Sequence, residues 1–307
     1  MAVDREFLTE KLWIGVYDAL TARLVGEGAR ACEFGSIGGL WVSSYCVSAT
    51  MRACPDASIV SSAEMVAIGR RIDLAARGLP VVLDCDSGYG DDIVLRHVVE
   101  EVCRTSGIAG ICVEDKVFPK RNSFYSAQEQ RLEEISVFAD KIRAADAARR
   151  ATRPDLAVIA RTEALVAGQG VPAALERMRA FTEAGADALM VQGTGPLEDL
   201  FEVARRWKSE SSVPLIGAPT LYPDQSPRAF WKEGFDVYIY ANQLMRAVGP
   251  VMDRLVREAA DTERGPSSLG QELWSLRDVD RLVGVGHGLA DRAVPAETLA
   301  SSSGPEV

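Results

Sequence analysis

The 307-residue chain has only two histidines, His97 and His287. His97 follows Arg96 in a helix-like stretch away from any strand end, and His287 lies near the carboxyl tail. A Ser-His-Asp or Cys-His catalytic arrangement is therefore not expected. The six cysteines (32, 46, 54, 85, 103 and 112) form no CxxC pair and no zinc spacing. Cys85 and Cys112 fall inside apolar runs and read as reduced core thiols of a cytosolic protein. Positive charge is also short. With 34 Lys and Arg against 44 Asp and Glu, the net charge is −10, which argues against nucleic acid and against an anionic membrane as partners. That balance still permits a small anionic substrate, because a local cation or metal can reverse the field in a pocket. No apolar run reaches the about 18 residues of a membrane span, and the start, MAVDREFLTEKL, is acidic and amphipathic rather than a signal sequence. The segment SGYGDD matches neither GxGxxG nor GxxxxGK[ST]. A soluble, cytoplasmic protein is expected.

What the chain does have is 47% hydrophobic residues, enough for a large core, and a repeating unit. Strand-like runs occur at 38–44, 79–88, 109–116, 156–164, 186–193, 213–219 and 236–242. Helix-like segments occur at 8–27, 62–77, 91–106, 126–150, 171–184, 196–210 and 243–260. Alternating β and α units imply a parallel sheet with right-handed crossovers. Seven clear runs, with one strand before Val81 unassigned, predict a TIM-type (β/α)8 barrel over residues 1–260. Residues 261–290 read as a linker, DTERGPSSLGQ, followed by an amphipathic helix, LWSLRDVDRLVGV. Residues 291–307 read as a disordered tail. A terminal helix that leaves the barrel is suited to packing on another subunit.

Two strand ends carry most of the chemistry. VVLDCDSGYG places Asp84 and Asp86 at the end of one apolar run, and GICVEDK ends the next at Glu114 and Asp115. Acids at the carboxyl edge of such a sheet lie where α/β enzymes build their sites. Converging carboxylates repel one another unless a cation stands between them. Asp84, Asp86 and Glu114 are accordingly read as the acidic shell of Mg2+, which takes one or two carboxylates directly and keeps several waters. The alternative is that these acids cap helices or pair with rim cations.

The polar segment KVFPKRNSFYSAQEQ reads as a loop of about ten residues before a helix that begins near Ser126. Its Lys116, Lys120, Arg121, Asn122 and Ser123 bring donors and cations together, as an oxyanion or phosphoryl group requires. By composition alone a solvated surface loop looks the same. Arg161 closes the run LAVIAR, and a buried arginine there needs an anion; Glu163, two residues on, is its candidate structural partner. Gln192 and Asn242 end later strands and can hydrogen-bond a substrate without adding charge.

VLDCDSGYGDD, GICVEDKVFPKRNS, VIARTEALVAGQG and AGADALMVQ, in this order, resemble the isocitrate lyase and phosphoenolpyruvate mutase superfamily. EDKVFPKRNS resembles the phosphoenolpyruvate mutase and phosphonopyruvate hydrolase branch, since Asn122 and Ser123 stand where the lyases carry a catalytic cysteine. The resemblance implies a TIM-type barrel whose last helix is exchanged between subunits, in a homodimer or homotetramer. It implies Mg2+ held by Asp84, with Asp86 and Glu114 in its water shell. Lys120, Asn122 and Ser123 would lie on a gating loop over the phosphoryl group, with Arg161 on the substrate anion. WVSSYCVSA resembles the first-strand segment of the mutases, implying Trp41, Ser43 and Ser44 beside the pyruvyl part and Asp56 as the catalytic aspartate beyond it. Where the mutases have histidine and serine after the sixth strand, this chain has Gln192 and Gly193, and the stretch ARACEFGSIG is longer than the family pattern. The activity implied is Mg-dependent interconversion of phosphoenolpyruvate and phosphonopyruvate. Hydrolysis of phosphonopyruvate, carbon–carbon cleavage of a 2-oxo or 2-hydroxy diacid, and a non-catalytic scaffold are the alternatives.

Overall fold

The computed structural model describes residues 6–9, 11–31, 37–260 and 273–284. The expected linker, the expected disordered tail and His287 lie outside the described residues. Eight parallel strands close into a barrel in sequence order: β1 (Lys11–Val16), β2 (Ile37–Val42), β3 (Val81–Asp84), β4 (Gly110–Glu114), β5 (Ala157–Thr162), β6 (Ala188–Val191), β7 (Leu215–Gly217) and β8 (Val237–Tyr240). The helices that follow them are α1 (Ala19–Ala31), α2 (Ser44–Arg52), α3 (Ser62–Ala75), α4 (Asp92–Thr105), α5 (Ile135–Thr152), α6 (Gly170–Glu183), α7 (Leu197–Glu210), α8 (Pro227–Glu233) and α9 (Gln243–Ala259), with α10 (Leu276–Val283) near the carboxyl end.

The strands are short and apolar on both faces because both faces are covered. Trp13, Trp41, Val82, Cys112, Ile159, Met190, Ile216 and Ile239 pack together inside the barrel, and their strand neighbours Leu83, Ile111, Val113, Val158 and Leu189 pack outward among the helices. Each Val, Leu, Ile or Met side chain among them contributes about 1.5–3 kcal/mol on burial. Phe7 stacks on Trp13 from a 3-10 turn just before β1, at the barrel end opposite the acidic strand ends. Contacts divide the chain near Val251 into two compact units, the barrel unit and residues 252–307. No helix among the described residues is long and apolar enough to cross a membrane.

Three expectations need correction. The apolar pattern over 8–27, read as one helix, is β1 followed by α1, and β1 is the missing eighth strand. Its apolar residues fit both periods, and the only punctuation is Asp18, whose carboxylate accepts a hydrogen bond from the Thr21 backbone N–H at 2.7 Å. Gly15 in β1 is required sterically: a Cβ there would stand 2.0 Å from the Ala241 carbonyl oxygen. The helix expected from Ser126 begins at Ile135 instead. Ser126 and Glu129 do form a capping box, but it opens a 3-10 turn of three residues only. Lys116 then pairs with Leu132 in an antiparallel bridge, and Val117 N–H donates to the Arg131 carbonyl at 2.9 Å, which occupies backbone groups a helix would need. Finally, α2 and α8 were not expected as helices; Ser43 and Ser226 are their N-caps.

Candidate active site

The carboxyl ends of the strands form the floor of a cavity of about 60 Å3. A single water needs about 10–15 Å3, so there is room for a few waters or one small polar molecule. Asp84 is the last residue of β3, and Asp86 follows with φ 49°, in the left-handed region that aspartate tolerates better than most residues. Ser43 commits its hydroxyl to the first turn of α2, accepting from Cys46 N–H at 3.3 Å. Ser44 donates to Asp84 Oδ2 at 2.8 Å, tying α2 to the floor.

A lid formed by residues 116–134 closes over this floor. Lys120 Nζ lies 2.7 Å from Asp86 Oδ1, 2.9 Å from Asp56 Oδ1 and 3.1 Å from Ser44 Oγ. Asn122 Nδ2 donates to Asp56 Oδ2 at 2.9 Å. Asp56, on the loop between α2 and α3, thus receives both lid donors. Ser123 Oγ donates to Glu163 Oε2 at 2.8 Å and accepts from Lys116 Nζ at 2.8 Å. Arg161, near the end of β5, is clamped by Glu163, and its Nη2 lies 3.4 Å from Glu114 Oε2. Phe124 meets Tyr45 of α2 edge-on, with ring centroids 6.4 Å apart. The far wall carries Met190, Gln192, Thr220 and Asn242 and bears no charge.

The structure brings the expected residues together on this one cavity, with two placed behind its wall. Trp41, Ser43, Ser44, Asp56, Asp84, Lys120, Asn122, Ser123, Arg161 and Gln192 line it. Asp86 is covered by Lys120, and Glu114 sits behind Arg161 and Lys116. Asp115 does not belong to the group. Its carboxylate accepts from Thr162 Oγ1, Glu163 N–H and Arg177 Nη1, so it anchors β5 to the lid base. Burial pushes Asp115 up to about 6, with Arg177 pulling the other way. Tyr45, Phe124 and Thr220 were not expected. Phe124 and Tyr125 interrupting a polar loop was the available signal, and Thr220 had none.

The electrostatics are unbalanced. Five carboxylates (Asp56, Asp84, Asp86, Glu114, Glu163) surround three cations (Lys116, Lys120, Arg161), leaving two negative charges unmatched. Burial pushes the Asp84 carboxyl up to about 6; Lys120 opposes this while Asp86 and Glu114 add to it. Burial raises Asp86 as well, against Lys120. For Glu114, burial is outweighed by Lys116, Arg161 and Lys120, which hold it at about 2. Lys120 is held above its ordinary value because its four acidic neighbours outweigh burial. Glu114 Oε1 is buried without a hydrogen-bond donor.

Two unmatched charges and an orphaned carboxylate oxygen fit one hard divalent cation. Among the described residues, no three His, Cys, Asp or Glu side chains are close enough to cage an ion directly. The donor set therefore suits an ion held by one or two carboxylates and water. Among the described residues no cysteine lines the cavity, and nearby Cys46 is pushed up to about 11 by burial, so it stays a thiol.

Residues 9–260 match the family model described as phosphoenolpyruvate phosphomutase. The chain is 37% identical over 268 residues to phosphoenolpyruvate phosphomutase of Streptomyces hygroscopicus, covering 87% of this chain and 80% of the relative. The crystal structure of phosphoenolpyruvate phosphomutase from Streptomyces platensis subsp. rosaceus superposes with a TM-score of 0.83 at 30% identity, covering 92% of this chain and 94% of that one. Phosphonopyruvate hydrolase in complex with oxalate and Mg2+ superposes with a TM-score of 0.77 at 31% identity, covering 90% of each chain.

Proposed function

The chain belongs to the phosphoenolpyruvate phosphomutase family, and on that premise we propose that it interconverts phosphoenolpyruvate and phosphonopyruvate with Mg2+ as cofactor. The observation that carries this reading is the lid: Lys120, Asn122 and Ser123 close on a small, cysteine-free cavity. In the reaction the bond from phosphorus to the enol oxygen breaks and one to C3 forms, or the reverse. The transferring group is loose and metaphosphate-like, so the protein must hold it and exclude water until it is captured.

Asp84, Asp86 and Glu114 would hold the metal, with one or two of them acting through water. Bound there, Mg2+ supplies positive charge that stabilises the enolate of the pyruvyl part. Trp41, Ser43 and Ser44 flank that part. Arg161, Lys120 and Asn122 hold the phosphoryl oxygens, and Ser123 seats the lid tip. Asp56 acts as the catalytic aspartate by fixing Lys120 and Asn122 over the substrate. Gln192 gives the far wall a donor that carries no charge at any working pH.

Hydrolysis of phosphonopyruvate is the second reading, favoured by the closely matched structural likeness to the hydrolase. A coupled assay separates the two: protein, phosphonopyruvate and Mg2+ should yield phosphoenolpyruvate. Pyruvate formed without phosphoenolpyruvate would favour hydrolysis. Asp84→Ala should lower turnover by roughly 10³-fold, in line with loss of a main electrostatic group; retained turnover would refute the metal assignment.

A further inference from the structure

Glu163 has no role in the proposed chemistry, yet it is fully buried and its carboxylate contacts both Arg161 and Ser123. A carboxylate in such a place is tolerated only when both oxygens are paired. Its Oε1 holds Arg161, receiving both Nε and Nη2 of the guanidinium. Its Oε2 faces the lid, receiving the Ser123 hydroxyl at 2.8 Å and lying 3.2 Å from Lys116 Nζ. Arg161 Nη2 also donates to Ser123 Oγ at 3.3 Å. The anion clamp and the lid tip therefore share one partner.

That partner is itself held firmly. Glu163 N–H donates to Asp115 Oδ1 at 2.9 Å, and Asp115 Oδ2 receives Arg177 Nη1 at 3.2 Å. Arg177 Nη1 also donates to the Glu133 carbonyl at 3.0 Å, on the far side of the lid base. Lys116, at the near side, donates to the Arg121 carbonyl at 2.9 Å. When the lid lifts, Ser123 leaves, and both Glu163 Oε2 and the Arg161 guanidinium lose a neighbour at once.

We propose that Glu163 is a positioning residue that makes lid closure and the orientation of Arg161 a single event. The inference rests on the reading of Arg161 as the anion clamp and of residues 116–134 as the lid. Arg161 then reaches its working geometry only when Ser123 is seated, so the transferring group meets the guanidinium after water has been excluded.

The test compares wild type, Ser123→Ala, Glu163→Gln and the double variant. Lid position is read from tryptic cleavage at Arg121 and Arg131, which are exposed on the lid, with and without oxalate plus Mg2+. Kinetic constants are read with phosphonopyruvate. Oxalate should slow cleavage of the wild type at least tenfold, and that protection should fall below threefold in each single variant. Ser123→Ala and Glu163→Gln should each lower kcat and raise KM, by at least fivefold in Glu163→Gln, because in both the guanidinium loses its orientation. The double variant should be no worse than Glu163→Gln, as expected for groups acting as one unit. A merely structural role would lower thermal stability and leave protection and KM unchanged. Wild-type protection in Glu163→Gln, or effects that multiply in the double variant, would overturn the proposal. Absence of both protection and turnover in the wild type would instead overturn the functional reading beneath it. If Glu163→Gln does not fold, Ser123→Ala decides: wild-type protection and kcat in that variant would sink the idea.

Discussion

The ammonium of Lys120 stands among acids that otherwise need a metal ion to coexist. It is 4% exposed, lies 2.7 Å from Asp86, and covers that carboxylate from the cavity. A divalent ion held as proposed would draw on the same negative charge as Lys120, and each would weaken the other's hold on Asp86. Lys120→Met should therefore bind Mg2+ more tightly than the wild type in calorimetry without substrate, by roughly tenfold, which corresponds to about 1.4 kcal/mol. Equal affinity would show that Lys120 and the ion do not compete. Mutual repulsion of Asp84, Asp86 and Glu114 was visible from strand ends alone. Lys116, Lys120 and Arg161 were visible as candidate site cations, but their pairing with these acids was not, because whether Lys120 points to solvent or into the cavity depends on how the lid folds.

Asp56 depends on the frame around its loop. Ala53 ends α2 in the left-handed conformation, and Ser61 starts α3 with a capping box to Glu64. Arg52 of α2 pairs with the same Glu64, so the two helix ends that flank the loop are joined. The Glu64 carboxyl is held at about 2, first by the Ser61 backbone and hydroxyl and then by Arg52. A depressed carboxyl stabilises the fold above its ordinary value of 4.5 and loses that contribution as pH falls through about 2. Urea unfolding of the wild type and Glu64→Gln should differ above about pH 5 and converge on acidification. A gap that widens toward low pH would contradict the pairing.

Seven strands were readable because parallel strands buried on both faces are continuous apolar runs ended by Gly, Pro or acids. β1 was not, since KLWIGV merges into the apolar stripe of α1 across only Tyr17 and Asp18. The lid was readable as a polar, proline-broken loop, but its length was not. The capping box at Ser126 is a true helix-start signal, overridden by the bridge between Lys116 and Leu132. The partnership of Arg161 with Glu163 was legible from their spacing of two along a strand end. Ser123 joining them was not, because it lies 40 residues from Glu163 along the chain.

For the whole molecule, apolar residues of α9 and α10 are exposed. α9 exposes Val248, Val251, Met252 and Val256, a stripe at helical spacing, and α10 exposes Leu276, Val279 and Val283. We propose that these faces are covered in a homodimer or homotetramer, with α10 packing on a neighbouring subunit. Light scattering should give two or four times the 33.2 kDa chain mass; a monomer at micromolar concentration would contradict this. The chemistry proposed for this chain is transfer of a phosphoryl group between oxygen and carbon in a lidded cavity without loss to water. The most direct measurement is 31P NMR of the protein with phosphonopyruvate and Mg2+. The phosphonate resonance should give way to that of the phosphoenolpyruvate ester, with no accumulation of free phosphate. Free phosphate as the main product, or a spectrum that does not change, would contradict it.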